Sequence, residues 1–241
     1  MGISVKGEVS RRQGADVETN EAKLIEFTHI PPEAGVWRQV LHLGNRLIFH
    51  KGSEIMHGGQ EGAYLYFLYQ GEVRLMRTTL DGREKILMCM TAGGVTGETP
   101  FFDEVPAHSS IVAATDCVVY AFSQDCVRHE IIPHYPELTL ALLQSLASKV
   151  RVLCNQSVSL SLEELPSRIC RFLRLRVRDG DNAPCVSPGL NQQELANLLG
   201  VHRVTLNKAL RELEKESIIG PYAKDEVYIL DMDRFLELAM R

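Results

Sequence analysis

Five side chains near the C-terminus recur at helical spacing and could read nucleic acid: Arg203, Val204, Asn207, Lys208 and Arg211. Arg and Lys donate to guanine edges and phosphates, Asn can pair with adenine, and Val can pack on a thymine methyl. A second set, Leu206, Leu210 and Leu213, falls on the neighbouring face of the same stretch. One face can therefore be buried while the other stays free to enter a major groove. The alternative is an ordinary helix with a solvated charged face.

The elements that would position these residues are legible around them. Asn191 can cap a first helix, and Glu194 three residues on closes a capping box. Leu195, Leu198 and Leu199 give that helix an apolar face, and Gly200-Val201 forms the turn. The second helix is expected from near His202. Upstream, Arg168, Arg171, Arg174, Arg176 and Arg178 follow one another with no acid between them. They are read as a helix reaching Arg178 that either faces phosphates or is a solvated face pairing with acids of the N-terminal roll. Val227-Tyr228-Ile229-Leu230 reads as a strand beside these helices, a wing.

From Leu47 to Phe122 the pattern is strand-like: short apolar or alternating runs punctuated by glycine, with Asp81-Gly82 as a hairpin signal. Such spacing suggests a barrel or roll. Pro136 then opens a long helix whose stripe of Leu142, Leu143, Leu146, Val150, Leu153 and Leu160 extends beyond what a small roll needs. A second copy of the same helix would cover it. The fold class expected is α+β: an N-terminal β-roll, a long dimerisation helix and a C-terminal winged helix-turn-helix. The division expected is a flexible arm at 1–22, the roll at 23–135, the helix at 136–161 and the DNA-binding unit at 162–241.

Bulk properties agree with a globular protein: 45% of residues are hydrophobic and 24% charged. The formal net charge of -5 does not exclude DNA, which reads a local field. No apolar run is long enough to span a membrane, and the N-terminus lacks the apolar centre of a signal peptide, so a cytoplasmic location is expected. None of the six cysteines forms a CxxC pair. An enzyme of cupin type would need clustered His and carboxylate ligands, and His50 and His57 supply no HxH pair; no enzymatic activity is expected.

The order of roll, long helix and helix-turn-helix resembles the Crp/Fnr family of bacterial transcription regulators. The most specific stretch is Gly97-Glu98-Thr99-Pro100-Phe101-Phe102-Asp103, which is similar to the family's phosphate-binding cassette. The resemblance implies an effector-gated homodimer on a near-palindromic DNA operator, touching RNA polymerase if it activates. It implies base contacts from Arg203, Val204, Asn207 and Lys208, and backbone contacts from His202 and Thr205. Many members place Glu where this chain has Val204, so a half-site richer in A·T is expected there.

For the effector, the resemblance points to Gly97, Glu98, Thr99, His108, Ser109, Val150, Leu153 and Cys154. Cyclic-nucleotide binders of this family pair an Arg with the cyclic phosphate; here His108 stands in its place, and an imidazole lacks the guanidinium fork. Leu153 and Cys154 replace a Thr-Ser pair that faces the base. A small organic, aromatic or phenolic effector is therefore expected rather than cyclic AMP. Val204-Thr205-Leu206 is similar to the branch that senses halogenated phenolic acids. Haem, with His108 and Cys154 as ligands, is the alternative cofactor. The iron–sulfur branch groups cysteines near the N-terminus, and none precedes Cys89 here.

Overall fold

The computed structural model describes residues 29–30, 35–178 and 184–240. The expected arm at 1–22 lies outside the described residues.

Alternating apolar residues place two sheets face to face. One sheet has the order β1 (His29–Ile30), β6 (Glu84–Thr91), β5 (Glu72–Thr78), β8 (Ser110–Ala113), β3 (Glu54–Met56); the other runs β2 (Asn45–Phe49), β9 (Cys117–Ser123), β4 (Tyr64–Gln70), β7 (Val95–Thr96). Only β1 on β6 pairs parallel within these two sheets of described residues. The Asp81-Gly82 hairpin joins β5 to β6 as expected, with Thr79 N–H donating to Arg83 O at 2.8 Å.

One core of the roll holds Leu65, Phe67, Val95, Phe101 and Phe122, closed by Trp37 and Val40 of the 3-10 helix Val36–Leu43. Each large apolar side chain fully buried there contributes roughly 1.5–3 kcal/mol. The other gathers Met56, Leu68, Val73, Met88, Ile111 and Val119. Strand β7 leads into a short helix, α1 (Glu98–Asp103).

The long helix α2 (Pro136–Leu162) has 27 residues, about 40 Å at ~1.5 Å per residue. Leu138, Ala141, Leu142, Ser145, Lys149, Val152, Gln156 and Ser159 form its buried face. Its other side leaves Leu140, Leu143, Val150, Leu153, Val158 and Leu160 exposed. No helix among the described residues is long and apolar enough to cross a membrane.

The C-terminal unit contains α3 (Leu165–Arg174), α4 (Gln192–Leu199), α5 (Arg203–Lys215) and α6 (Met232–Met240). A small antiparallel sheet, β10 (Val177–Arg178), β11 (Cys185–Val186), β12 (Val227–Tyr228), forms the wing. Three expectations are corrected. The Arg-rich helix ends at Arg174, and the chain turns into β10 before Arg178. The last strand stops at Tyr228, with Ile229 only bridging Ile219. The Arg run does not form a common phosphate-facing patch: Arg168 is buried and donates to Leu199 O, Arg171 pairs with Glu163, and Arg176 stacks 4.1 Å from the Phe172 ring. Arg174 is exposed.

Candidate functional site

The reading surface is built by local signals. Asn191 Oδ1 accepts from Glu194 N–H at 2.9 Å, and Glu194 Oε2 accepts from Asn191 N–H at 2.8 Å, completing the capping box of α4. Gly200 follows at φ 66, a left-handed conformation that permits the sharp turn into α5. Leu206, Leu210 and Leu213 are buried against Leu195, Leu198 and Leu199. That burial turns His202, Arg203, Val204, Thr205 and Lys208 outward, all exposed. Asn207 is half-buried, with its Oδ1 enclosed and unpartnered. Beside this face, Arg203, Lys224, Tyr222 and the α4 start (Asn191, Gln192, Gln193) line a polar cleft.

The second candidate site is a cavity of about 230 Å³ between the roll and α2. Met56, Leu75, Met88, Met90, Ile111 and Leu153 are among its walls. Of the residues expected here, Gly97, Glu98, Thr99, His108, Ser109, Val150 and Leu153 line it; Cys154 does not, and is exposed on α2. Gly97 sits at φ 87, and a Cβ there would lie 2.9 Å from Tyr66 Cδ2, so both conformation and space demand glycine at the start of the cassette.

The sequence reading missed Lys149. Its ammonium is buried beside the cavity, donating to Val95 O at 2.7 Å and pairing with Glu98 Oε1 at 2.5 Å. A lysine inside an otherwise apolar helix face was the available signal, but its partner is distant in sequence. An unpaired buried charge is strongly unfavourable, so the pair explains how both groups persist there.

Comparison with known proteins matches both parts of the chain to known domains. Residues 46–132 match the cyclic nucleotide-binding domain and residues 167–238 the Crp-like helix-turn-helix domain. The chain is 32% identical over 195 residues to a CRP-like cAMP-activated global transcriptional regulator of Mycobacterium tuberculosis, covering 79% of this chain and 86% of that protein. It is 31% identical over 179 residues to the cyclic AMP receptor protein of Thermus thermophilus, covering 73% and 81%. Among solved structures, the c-di-GMP responsive regulator CLP of Xanthomonas campestris superposes with a TM-score of 0.71 at 20% identity, over 83% of this chain and all (100%) of that one. An OCPA complex of CprK superposes with a TM-score of 0.65 at 21% identity, over 84% and 93%; at such identity these two share the fold. With a cyclic nucleotide-binding-type roll and a Crp-like helix-turn-helix in one chain, and with a relative 32% identical over most of both chains, the protein belongs to the Crp/Fnr family of transcription regulators.

Proposed function

We propose that this regulator acts as a homodimer on a near-palindromic DNA site and is switched by a small, largely apolar organic molecule rather than by cyclic AMP. The carrying observation is the cavity wall. Met56, Leu75, Met88, Met90, Ile111 and Leu153 offer a nucleotide base few partners, and by the family resemblance His108 stands where the cyclic phosphate needs a guanidinium. A volume of about 230 Å³ also falls below the ~300–1,000 Å³ of ordinary drug-sized ligand pockets. The cAMP-activated regulator of Mycobacterium tuberculosis and the cyclic AMP receptor protein of Thermus thermophilus make cyclic AMP the competing effector. CprK, similar in fold, has been solved in complex with OCPA.

The homodimer is supported by the exposed stripe of Leu143, Val150, Leu153 and Leu160 on α2. Two-fold pairing along it would present two copies of α5 to successive major grooves, with Arg203, Val204, Asn207 and Lys208 at the bases and His202 and Thr205 at the backbone. The switch requires the effector to prefer one geometry of the dimer, because equal affinity for both shifts nothing. The division into a roll at 23–135, a dimerisation helix at 136–161 and a DNA-binding unit at 162–241 belongs to this proposal, as does action in the cytoplasm.

The test is DNA selection from a random library in three conditions: no addition, cyclic AMP, and a panel of small aromatic compounds. A two-fold-symmetric sequence enriched with an aromatic compound and indifferent to cyclic AMP is expected. Enrichment that depends on cyclic AMP would overturn the effector assignment, and an asymmetric consensus would overturn the dimer.

A further inference from the structure

The reading unit is joined to α2 by two extended residues, Glu163 (φ -103, ψ 141) and Glu164 (φ -72, ψ 149). Ser159 Oγ donates to Glu163 Oε2 at 2.6 Å, and Arg171 of α3 pairs with the same carboxylate, so the link is a fixed point. Helices α3, α4 and α5 share one core, through Cys170, Leu173, Leu195, Leu198, Leu206 and Leu210. The unit therefore moves as one body, and a body held at one point can still turn about it.

The roll supplies a second hold. Three side chains of the β5–β6 hairpin meet α4 along its 8 residues, about 12 Å at ~1.5 Å per residue. Arg74 reaches Glu194 in the first turn at 3.0 Å, Glu84 Oε2 accepts from Asn197 Nδ2 at 3.0 Å, and Lys85 Nζ donates to Leu198 O in the last turn. The strand register sets Arg74 opposite Cys89, so the hold spreads along β6 from Glu84 to Cys89. Ile86, next in the chain to Lys85, is buried in the core of the reading unit itself. Sliding α4 along the hairpin would part each of these pairs and leave part-buried polar groups unmatched.

The docked arrangement leaves DNA access open. The hairpin occupies α4, while His202, Arg203, Val204, Thr205 and Lys208 all stay exposed. The turn between the two helices is gripped as well: a Cβ on Gly200 would lie 3.3 Å from Lys85 Nζ. Because α4 packs directly on α5, fixing the tilt of α4 fixes that of α5.

We infer that Arg74, Glu84 and Lys85 of the roll are positioning residues for DNA recognition, setting the half-site spacing that the dimer accepts; this rests on the proposed two-half-site reading. With the link at Glu163–Glu164 alone, each reading unit would sample many tilts, and engaging two half-sites would cost the orientational freedom of both. Held at two points, the two units accept one separation. Each inserted base pair moves the half-sites apart by about 3.4 Å and turns them by about 34°. The roll thus sets the spacing, and α5 the sequence.

Competition gel shifts with the full chain test this on three DNAs: the two-half-site sequence that selection yields, the same sequence with one base pair inserted at its centre, and a single half-site. The wild type should lose at least about ten-fold on the insertion. The triple variant Arg74→Glu, Glu84→Ala, Lys85→Ala changes only the roll. Its affinity for the original two-half-site DNA should fall at least about ten-fold, its preference for the original spacing should vanish, and its single-half-site affinity should stay that of the wild type. Arg74→Lys with Glu84→Gln keeps a cation and an acceptor and should keep the spacing preference. Equal losses on single and paired half-sites would mean damage to the reading unit, and an unchanged spacing preference would mean that the unit is held elsewhere. Either overturns the inference and leaves the dimer on two half-sites standing. Tighter binding by the triple variant would also overturn it, since the contact would then restrain binding. A wild type that binds paired and single half-sites alike would overturn the two-half-site reading itself. Arg74→Glu alone carries the same comparison in milder form where the triple variant is unstable.

Discussion

The guanidinium of Arg74 on β5 lies 3.0 Å from the carboxylate of Glu194 in the first turn of α4. Glu194 also closes the capping box, so one side chain both starts the first reading helix and ties it to the roll. Its neighbours repeat the tie. Asn197 Nδ2 donates to Glu84 Oε2 at 3.0 Å, Lys85 Nζ donates to Leu198 O, and Ile86 is buried in the core of the helix-turn-helix. Two and four residues further along the same strand, Met88 and Met90 line the cavity. Strand β6 thus touches the candidate effector site at one end and the reading unit at the other.

Separating the two duties of Glu194 gives a first prediction. Arg74→Ala removes a partly exposed ion pair and should cost about 0–1 kcal/mol. Glu194→Ala removes the same pair and the capping box, which should cost roughly 1 kcal/mol more. Burial pushes the Glu194 carboxyl up, but the Asn191 N–H and Arg74 pull it further down, leaving it below the usual carboxylate range. The stability it contributes is therefore present above its unfolded pKa and is lost as pH falls through the lower folded value. Urea unfolding should show Glu194→Gln flattening this acid limb. Equal losses for Arg74→Ala and Glu194→Ala would contradict the assignment.

Lys85 gives the opposite pH signature. Burial, and then the charge of Arg168, push its ammonium down to about 8. Both cations donate to the last carbonyls of α4, at Leu198 O and Leu199 O, where the helix dipole is negative. The unfolded chain, with lysine near the ordinary ~10.4, binds more protons between those two values. Stability should therefore rise with pH from about 8 to about 10.4. Lys85→Met should remove that rise. A difference between wild type and variant that stays constant across this window, measured by chemical unfolding, would show that Lys85 is not held this way.

What could be read before the structure followed how local the signals are. The capping box of Asn191 and Glu194, the turn at Gly200 and the stripe of Leu206, Leu210 and Leu213 each depend on residues within one or two helical turns, and all appear as expected. Strands of two or three residues, such as β3, β7 and β11, carry too little periodicity to be seen. Lys149 and the Arg run failed for a different reason. A cation in a helical pattern reads as solvated, and only the distant partners Glu98, Val95 and Leu199 reveal that Lys149 and Arg168 turn inward. The same limit explains Cys154: its position on α2 was right, but the helix rotation that takes it off the cavity is fixed by packing against the roll.

The proposed dimer seam can be tested without touching the cavity. Leu143 is 58% exposed on α2 and is not among the cavity-lining residues. Leu143→Glu should leave the far-ultraviolet circular dichroism of the chain unchanged, since exposed positions tolerate substitution within about 0.5 kcal/mol. Placed against its own copy across a two-fold axis, the new carboxylate would repel its twin in a desolvated seam. Light scattering should then report a monomer, and affinity for a two-half-site DNA should fall while affinity for a single half-site is kept. A dimer of unchanged mass would place the interface elsewhere.

Val204 offers the sharpest reading of the DNA surface. It is 67% exposed in the first turn of α5, one residue after Arg203, so it has no structural duty that a substitution would disturb. A valine at that position can meet only the thymine methyl, whereas a glutamate accepts from the cytosine amino group. Val204→Glu should therefore move the preferred pair at one position of each half-site from A·T to G·C, with a discrimination of about 1–3 kcal/mol. Glutamate is also favoured at a helix N-terminus, so the fold should be unaffected. Lys208→Ala is the companion measurement. If Lys208 reads a guanine, its loss relaxes a different position by roughly 1–3 kcal/mol; if it meets a phosphate, it weakens all sequences alike and lowers the salt slope by about one. Site selection with the two variants separates these outcomes. A Val204→Glu consensus identical to the wild type would mean that α5 enters the groove on a different face, with Asn207 and Lys208 turned away from the bases.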